Sequence, residues 1–130
     1  TWLIDQLEHD KTVKIVNDQI GNTTLVDELA AGIWKLIASK FTGVVNIAGT
    51  EIVNRFKFAQ TIAQVFNLES GLIQPITTAE LHQAALRPLK SGLIVDKALH
   101  ELNIELSDVL GGLNKFKSMV TGKTPPENQH

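Results

Sequence analysis

The sequence predicts an α/β fold of a few short strands and about five helices, with a sheet that its own residues do not complete. Three observations carry this. Strand-like and helix-like segments alternate along the 130 residues, the order that gives parallel sheets flanked by helices. GVVNIAG at 43–49 is a nearly all-apolar run between glycines, the pattern of a strand covered on both faces. Yet only two or three strand-like runs are visible, too few for a closed layered core.

The elements follow in order. Residues 1–9 open directly on an amphipathic pattern, with Trp2, Leu3 and Leu7, and read as the end of a helix in a chain truncated at its N-terminus. VKIVN at 13–17 alternates as a half-buried strand does. DQIGNTT follows as a polar turn, with Thr24 as N-cap and Asp27 three residues on. Val26, Leu29, Ala30, Ile33 and Ile37 then recur at helical spacing, giving a helix to about residue 40.

After the strand at 43–49, Asn54 caps a helix whose inward stripe is Phe56, Ala59, Ile62, Ala63 and Phe66. LIQPIT at 72–77 reads as a strand, and Pro75 confines it to a sheet edge. Thr78 caps a short helix over AELHQAAL, and LRPLKSGL at 86–93 is a loop. A short helix spans 96–102. Ser107 caps the last helix, with Val109, Leu113, Phe116 and Val120 inward. Residues 1–121 form one region, and 122–130 read as a disordered tail.

Composition narrows the function classes. A net charge of −2 and scattered lysines give no broad attraction to nucleic acid or an anionic membrane. No apolar run approaches a membrane span. The absence of cysteine excludes disulfides and thiolate metal sites and fits a cytoplasmic location. His9, His82, His100 and His130 are dispersed without metal-ligand spacing. None of the nine glycines forms G-x-G-x-x-G, and the chain has no tyrosine, so neither a dinucleotide turn nor a Tyr-Lys acid–base pair is present. Asp27 and Glu28 sit where acids favour a helix N-terminus.

What remains is binding chemistry. Arg87 precedes Pro88, which keeps residue 87 out of the helical region. An arginine on such a loop presents its planar fork to phosphate oxygens, with Lys90 and Ser91 close by. Spacing alone favours a simpler role for Arg87, pairing with a surface carboxylate. Asp18, Gln19, Asn22 and Thr23 crowd a turn that either holds a polar ligand or only caps the following helix.

Taken together, VNDQIGNTTLVDELA at 16–30, VVNIAG followed by VNRFKFAQTIA, and RPLKSGLIVDKALHELNI resemble the C-terminal part of dTDP-4-dehydrorhamnose reductases, within the extended short-chain dehydrogenases and sugar-nucleotide epimerases. The resemblance covers nearly all of residues 1–121. Thr23 stands where the family commonly has proline, Ile94 where an acidic or amide residue often precedes the Lys97 region, and Asn103 where glycine is usual.

The resemblance implies the fold of the C-terminal portion of an extended short-chain dehydrogenase, with the Rossmann cofactor domain and its Tyr-x-x-x-Lys pair upstream of Thr1. NADPH or NADH would be bound there and not in this chain. It implies that Arg87 contacts the diphosphate of a sugar nucleotide, with Gln19, Asp18 and Ser91 on the substrate side of the cleft. The implied activity is reduction of the C4 ketone of a nucleotide-linked deoxysugar by the whole enzyme, with the 130 residues alone inactive. A non-catalytic subunit of the same fold and an NAD-dependent epimerase or dehydratase are the alternatives. Expected partners are a nucleotide-diphosphate sugar, the upstream domain and, through apolar edge left around residues 44–47, a second copy of the chain.

Overall fold

The computed structural model describes residues 2–82 and 84–122. It is a mixed α/β fold of helices and short strands. In order these are α1 (Trp2–Glu8), β1 (Val13–Val16), β2 (Ile20–Asn22), α2 (Val26–Ala38), β3 (Ile52–Asn54), α3 (Arg55–Phe66), a 3-10 turn (Ser70–Leu72), β4 (Ile73–Ile76), a π-helical turn (Lys97–Glu101) and α4 (Val109–Thr121). The expected tail over 122–130 lies, apart from Gly122, outside the described residues.

Two small sheets result. β1 pairs with β4 in parallel, Val13 opposite Ile73 and Val16 opposite Ile76. β2 pairs with β3 antiparallel, Ile20 opposite Asn54 and Asn22 opposite Ile52. β2 lies in the stretch whose residue types favour a turn, and β3 lies where no strand is expected. Three residues are too few for a two-residue period to show. Pro75 sits in β4, the outer strand of its two-stranded pair, where a missing N–H is tolerated.

Helix α3 is the centre of the molecule. Ala59 and Ala63 are almost wholly buried and bring its axis close to Leu3, Leu7, Val13 and Ile73. Val65 on another side joins Val109 and Leu113 of α4, with Phe58, Ile62 and Phe66 packed against them. The predicted stripe of α3 is therefore largely its buried one, and the expected cap holds: Asn54 Oδ1 accepts from Lys57 N at 2.7 Å. Asn67 ends the helix in the left-handed region, at φ 56°, where asparagine is tolerated.

Several expectations are corrected. Residues 43–49 do not form a strand: no ladder partner flanks them among the described residues, and Val44 is 84% exposed. Side chains hold this segment instead, with Asn46 Nδ2 donating to Ile94 O at 3.1 Å and Lys97 Nζ to Val44 O at 3.3 Å. The apolar stripe of α2 faces outward at Val26, Ile33 and Ile37, and Trp34 is exposed beside it. The inward face carries Glu28 and Gly32. A Cβ at Gly32 would lie 3.0 Å from Ile104 Cγ2 and 3.3 Å from Ile47, so the missing side chain is what lets α2 approach on that face.

The expected helix after Thr78 is a turn, and Val120 is exposed. Thr24 does not cap α2, whose N-cap is Leu25 without a side-chain bond, and α4 is capped by Asp108, not Ser107. At position 103, asparagine adopts φ 50°, the region in which it comes nearest to replacing glycine.

Candidate functional site

A cleft of about 510 Å³ opens between β2, the start of α3 and the loop after Arg87. Its construction begins at β2. Ile20 N donates to Leu89 O at 2.8 Å, and Ser91 N donates back to Ile20 O at 3.0 Å. This lays the loop beside β2 as a short parallel bridge between Ile20 and Lys90. Asn22 fastens the far end: its Oδ1 accepts from Leu93 N at 2.6 Å, and its Nδ2 donates to Gly49 O at 2.6 Å. Gly92 allows the loop to lie against β3, because a Cβ there would meet Ile52 Cδ1 at 2.6 Å.

Arg87 and Pro88 line this cleft, just outside the anchored stretch. Gln19 lines it too and is buried. Its Nε2 donates to Thr78 Oγ1 at 3.0 Å, and its backbone carbonyl accepts from Arg55 N at 3.1 Å. Ser91 lines the cleft, with its hydroxyl donating to Ile20 O at 3.1 Å. Asp18 is turned to another partner. Its carboxylate accepts from Thr78 N at 3.0 Å and from Thr78 Oγ1 at 2.7 Å, and these bonds hold its pKa below the ordinary 3.8. The Thr78 hydroxyl thus links Asp18 and Gln19, tying the end of β4 to the residues before β2.

Sequence reasoning missed Arg55 and Phe58. Both line the cleft, and both also line an adjoining cavity of about 480 Å³, as do Gln19 and Arg87. One signal for Arg55 was available: it is a cation in the first helical residue of α3, against the helix dipole. A cation in that position calls for a reason outside the helix.

The structure also shows a buried carboxylate that the sequence reading assigned to the helix dipole. Glu28 accepts from Ser107 N at 2.8 Å, from Ser107 Oγ at 2.5 Å and from Lys115 Nζ at 2.7 Å. Burial alone would push its carboxyl up; the Lys115 ammonium and the two Ser107 donors outweigh burial and hold the pKa below 4.5. This cluster borders a third, mainly apolar cavity of about 340 Å³ between α3 and α4. It joins α2 to α4, and its donors are satisfied internally.

Residues 1–120 match the family described as the RmlD substrate binding domain. A curated relative, the spore coat polysaccharide biosynthesis protein SpsK of Bacillus subtilis (strain 168), is 28% identical over 97 residues, which are 75% of this chain and 33% of that protein. A dTDP-4-dehydrorhamnose reductase from Bacillus anthracis str. Ames, solved in complex with NADP, superposes with a TM-score of 0.81 at 28% identity, over 91% of this chain and 42% of that one. A UDP-glucuronic acid 4-epimerase from Bacillus cereus, with UDP-glucuronic acid and NAD, gives a TM-score of 0.66 at 20% identity over 85% and 35% of the two chains, a likeness of fold alone. The chain thus spans about a third to two-fifths of the length of these relatives.

Proposed function

We propose, for a chain that belongs to the family of the RmlD substrate binding domain, that residues 1–121 hold the nucleotide-diphosphate part of a sugar nucleotide in the cleft between β2, α3 and the loop at 86–93. The observation that carries this reading is that Arg87 lines a polar cleft assembled from within the family-matched segment. Arg87 supplies a fixed charge and a planar fork for phosphate oxygens. Gln19, held by Thr78, lines the same cleft; Ser91 and Asp18 fix the walls and orient the groups that touch ligand.

Within a longer enzyme, this region would position the sugar for reduction of its C4 ketone by NADPH or NADH. The 130 residues carry no Gly-x-Gly-x-x-Gly turn and no tyrosine, so the cofactor and the proton donor belong, on this reading, to a Rossmann domain supplied elsewhere. What the present residues contribute is orientation and charge neutralisation, which accelerate a reaction without making bonds. The proposal includes a cytoplasmic location, suited to a cysteine-free chain. Among the described residues no helix is long and apolar enough to cross a membrane. It also includes self-association of the isolated chain through the exposed apolar groups of α2 and Val44, read by sedimentation as a mass that rises with concentration.

Isothermal titration of the 130-residue chain with a dTDP-linked hexose tests the central claim. Saturable binding at one site per chain is expected, weakened about tenfold or more by Arg87→Gln. Equal affinity in wild type and R87Q refutes it. Mixed with NADPH and a dTDP-4-keto-sugar, the chain alone is expected to give no turnover.

A further inference from the structure

We infer that Arg55 is a second phosphate-holding side chain of the same cleft, so that the site is built for two linked phosphates and not for one. The inference rests on the diphosphate-holding reading of the cleft and extends it to a residue outside the R-P loop. Arg55 and Arg87 both line the 510 Å³ cleft and both line the adjoining 480 Å³ cavity. A ligand that fills the cleft and reaches into the adjoining cavity passes both arginines.

Three features single Arg55 out. Its backbone is fixed beside another residue that lines the cleft, since Arg55 N donates to the backbone carbonyl of Gln19. Neither Arg55 nor Arg87 has a carboxylate within salt-bridge distance among the described residues. The acid nearest in sequence to Gln19, Asp18, is engaged by Thr78. Finally, Arg55 stands in the first turn of α3, where a cation is disfavoured by the dipole. Two guanidinium groups lining one cleft give an anion with more than one phosphate two separate anchors. A monoester engages one fork well; a pyrophosphate has an oxygen face for each.

The full 130-residue chain is titrated with inorganic pyrophosphate and with inorganic phosphate, comparing wild type, Arg55→Gln, Arg55→Lys and Arg87→Gln. Far-UV circular dichroism and thermal melting check that each variant is folded. Wild type is expected to prefer pyrophosphate. R55Q is expected to lose about tenfold in pyrophosphate affinity but no more than about threefold in phosphate affinity. R55K, which keeps the charge and loses the fork, falls between wild type and R55Q, and the salt dependence of pyrophosphate binding is shallower in R55Q.

Pyrophosphate affinity in R55Q equal to wild type overturns the inference, whatever R87Q does. A wild type that binds neither anion, or binds phosphate as tightly as pyrophosphate, also overturns it. The parent reading fails separately: pyrophosphate binding through Arg55 in a chain that does not bind a dTDP-hexose supports the role of Arg55 and rejects the sugar nucleotide.

Discussion

Replacing Glu28 by glutamine isolates the charge that joins α2 to α4. The volume hardly changes, so the effect comes from hydrogen bonding. Oε1 of Glu28 accepts from both Ser107 Oγ and Lys115 Nζ, while Oε2 accepts from Ser107 N. A glutamine amide must put its NH₂ on one side or the other. Placed at Oε1, it faces the Lys115 ammonium, which has no lone pair to offer; placed at Oε2, it faces the Ser107 N–H. Either orientation sets donor against donor. The Glu28 side chain is only 9% exposed and cannot turn to water, whereas Lys115, at 46%, can.

The expected loss is about 2–4 kcal/mol at pH 7, that of a buried, charge-assisted cluster broken from one side and partly relieved by hydration of the lysine. The pH dependence follows from the sign of the shift. The folded carboxyl titrates below its ordinary 4.5, so its stabilisation is complete above the unfolded pKa and fades as pH falls through the folded one. Urea denaturation followed by far-UV circular dichroism should show a wide gap between wild type and E28Q at pH 7 that narrows towards pH 3. A gap under about 0.5 kcal/mol at pH 7, or one of constant size with pH, refutes the assignment of this cluster as a charged tie.

Gly49→Ala drives a Cβ into the backbone oxygen of Thr23 and places it 3.2 Å from that of Ser107. Backbone must move at a junction beside the cleft, and a loss of about 3 kcal/mol or more in urea denaturation is expected. Thr78→Val removes the hydroxyl shared by Asp18 and Gln19. NMR titration should find the Asp18 carboxyl higher than in wild type, and limited proteolysis should cut faster between β4 and the R-P loop. Ala63→Leu overfills a site with no exposed surface, costing about 1–3 kcal/mol in the same denaturation assay.

The fate of the hydroxyl and amide caps shows what was legible. Asn54 was readable as a cap because it acts on Lys57, three residues away. Thr24, Thr78 and Ser107 look equally good in sequence, yet each is engaged far along the chain. Thr24 accepts from Gly49 N, Thr78 bonds Asp18 and Gln19, and Ser107 donates to Glu28. At the cleft, Arg87 was legible because Pro88 and its neighbours mark a polar loop. Arg55 was hidden in a helix start, and what brings it to the same cleft is the pairing of β2 with β3.

The sequence by itself determined the family, the helices α1 to α4, the strand with Pro75 and an arginine on a proline-marked loop. Those features depend on interactions within a few residues, or on residue types that no packing can supply. Only the tertiary structure decided which face of α2 turns inward, where three hydroxyls find their partners and that two arginines share one cleft. Periodicity fixes the angle of an apolar stripe but not what covers it. A hydroxyl that can rotate goes to the buried group that most needs it, and that group is chosen by the fold.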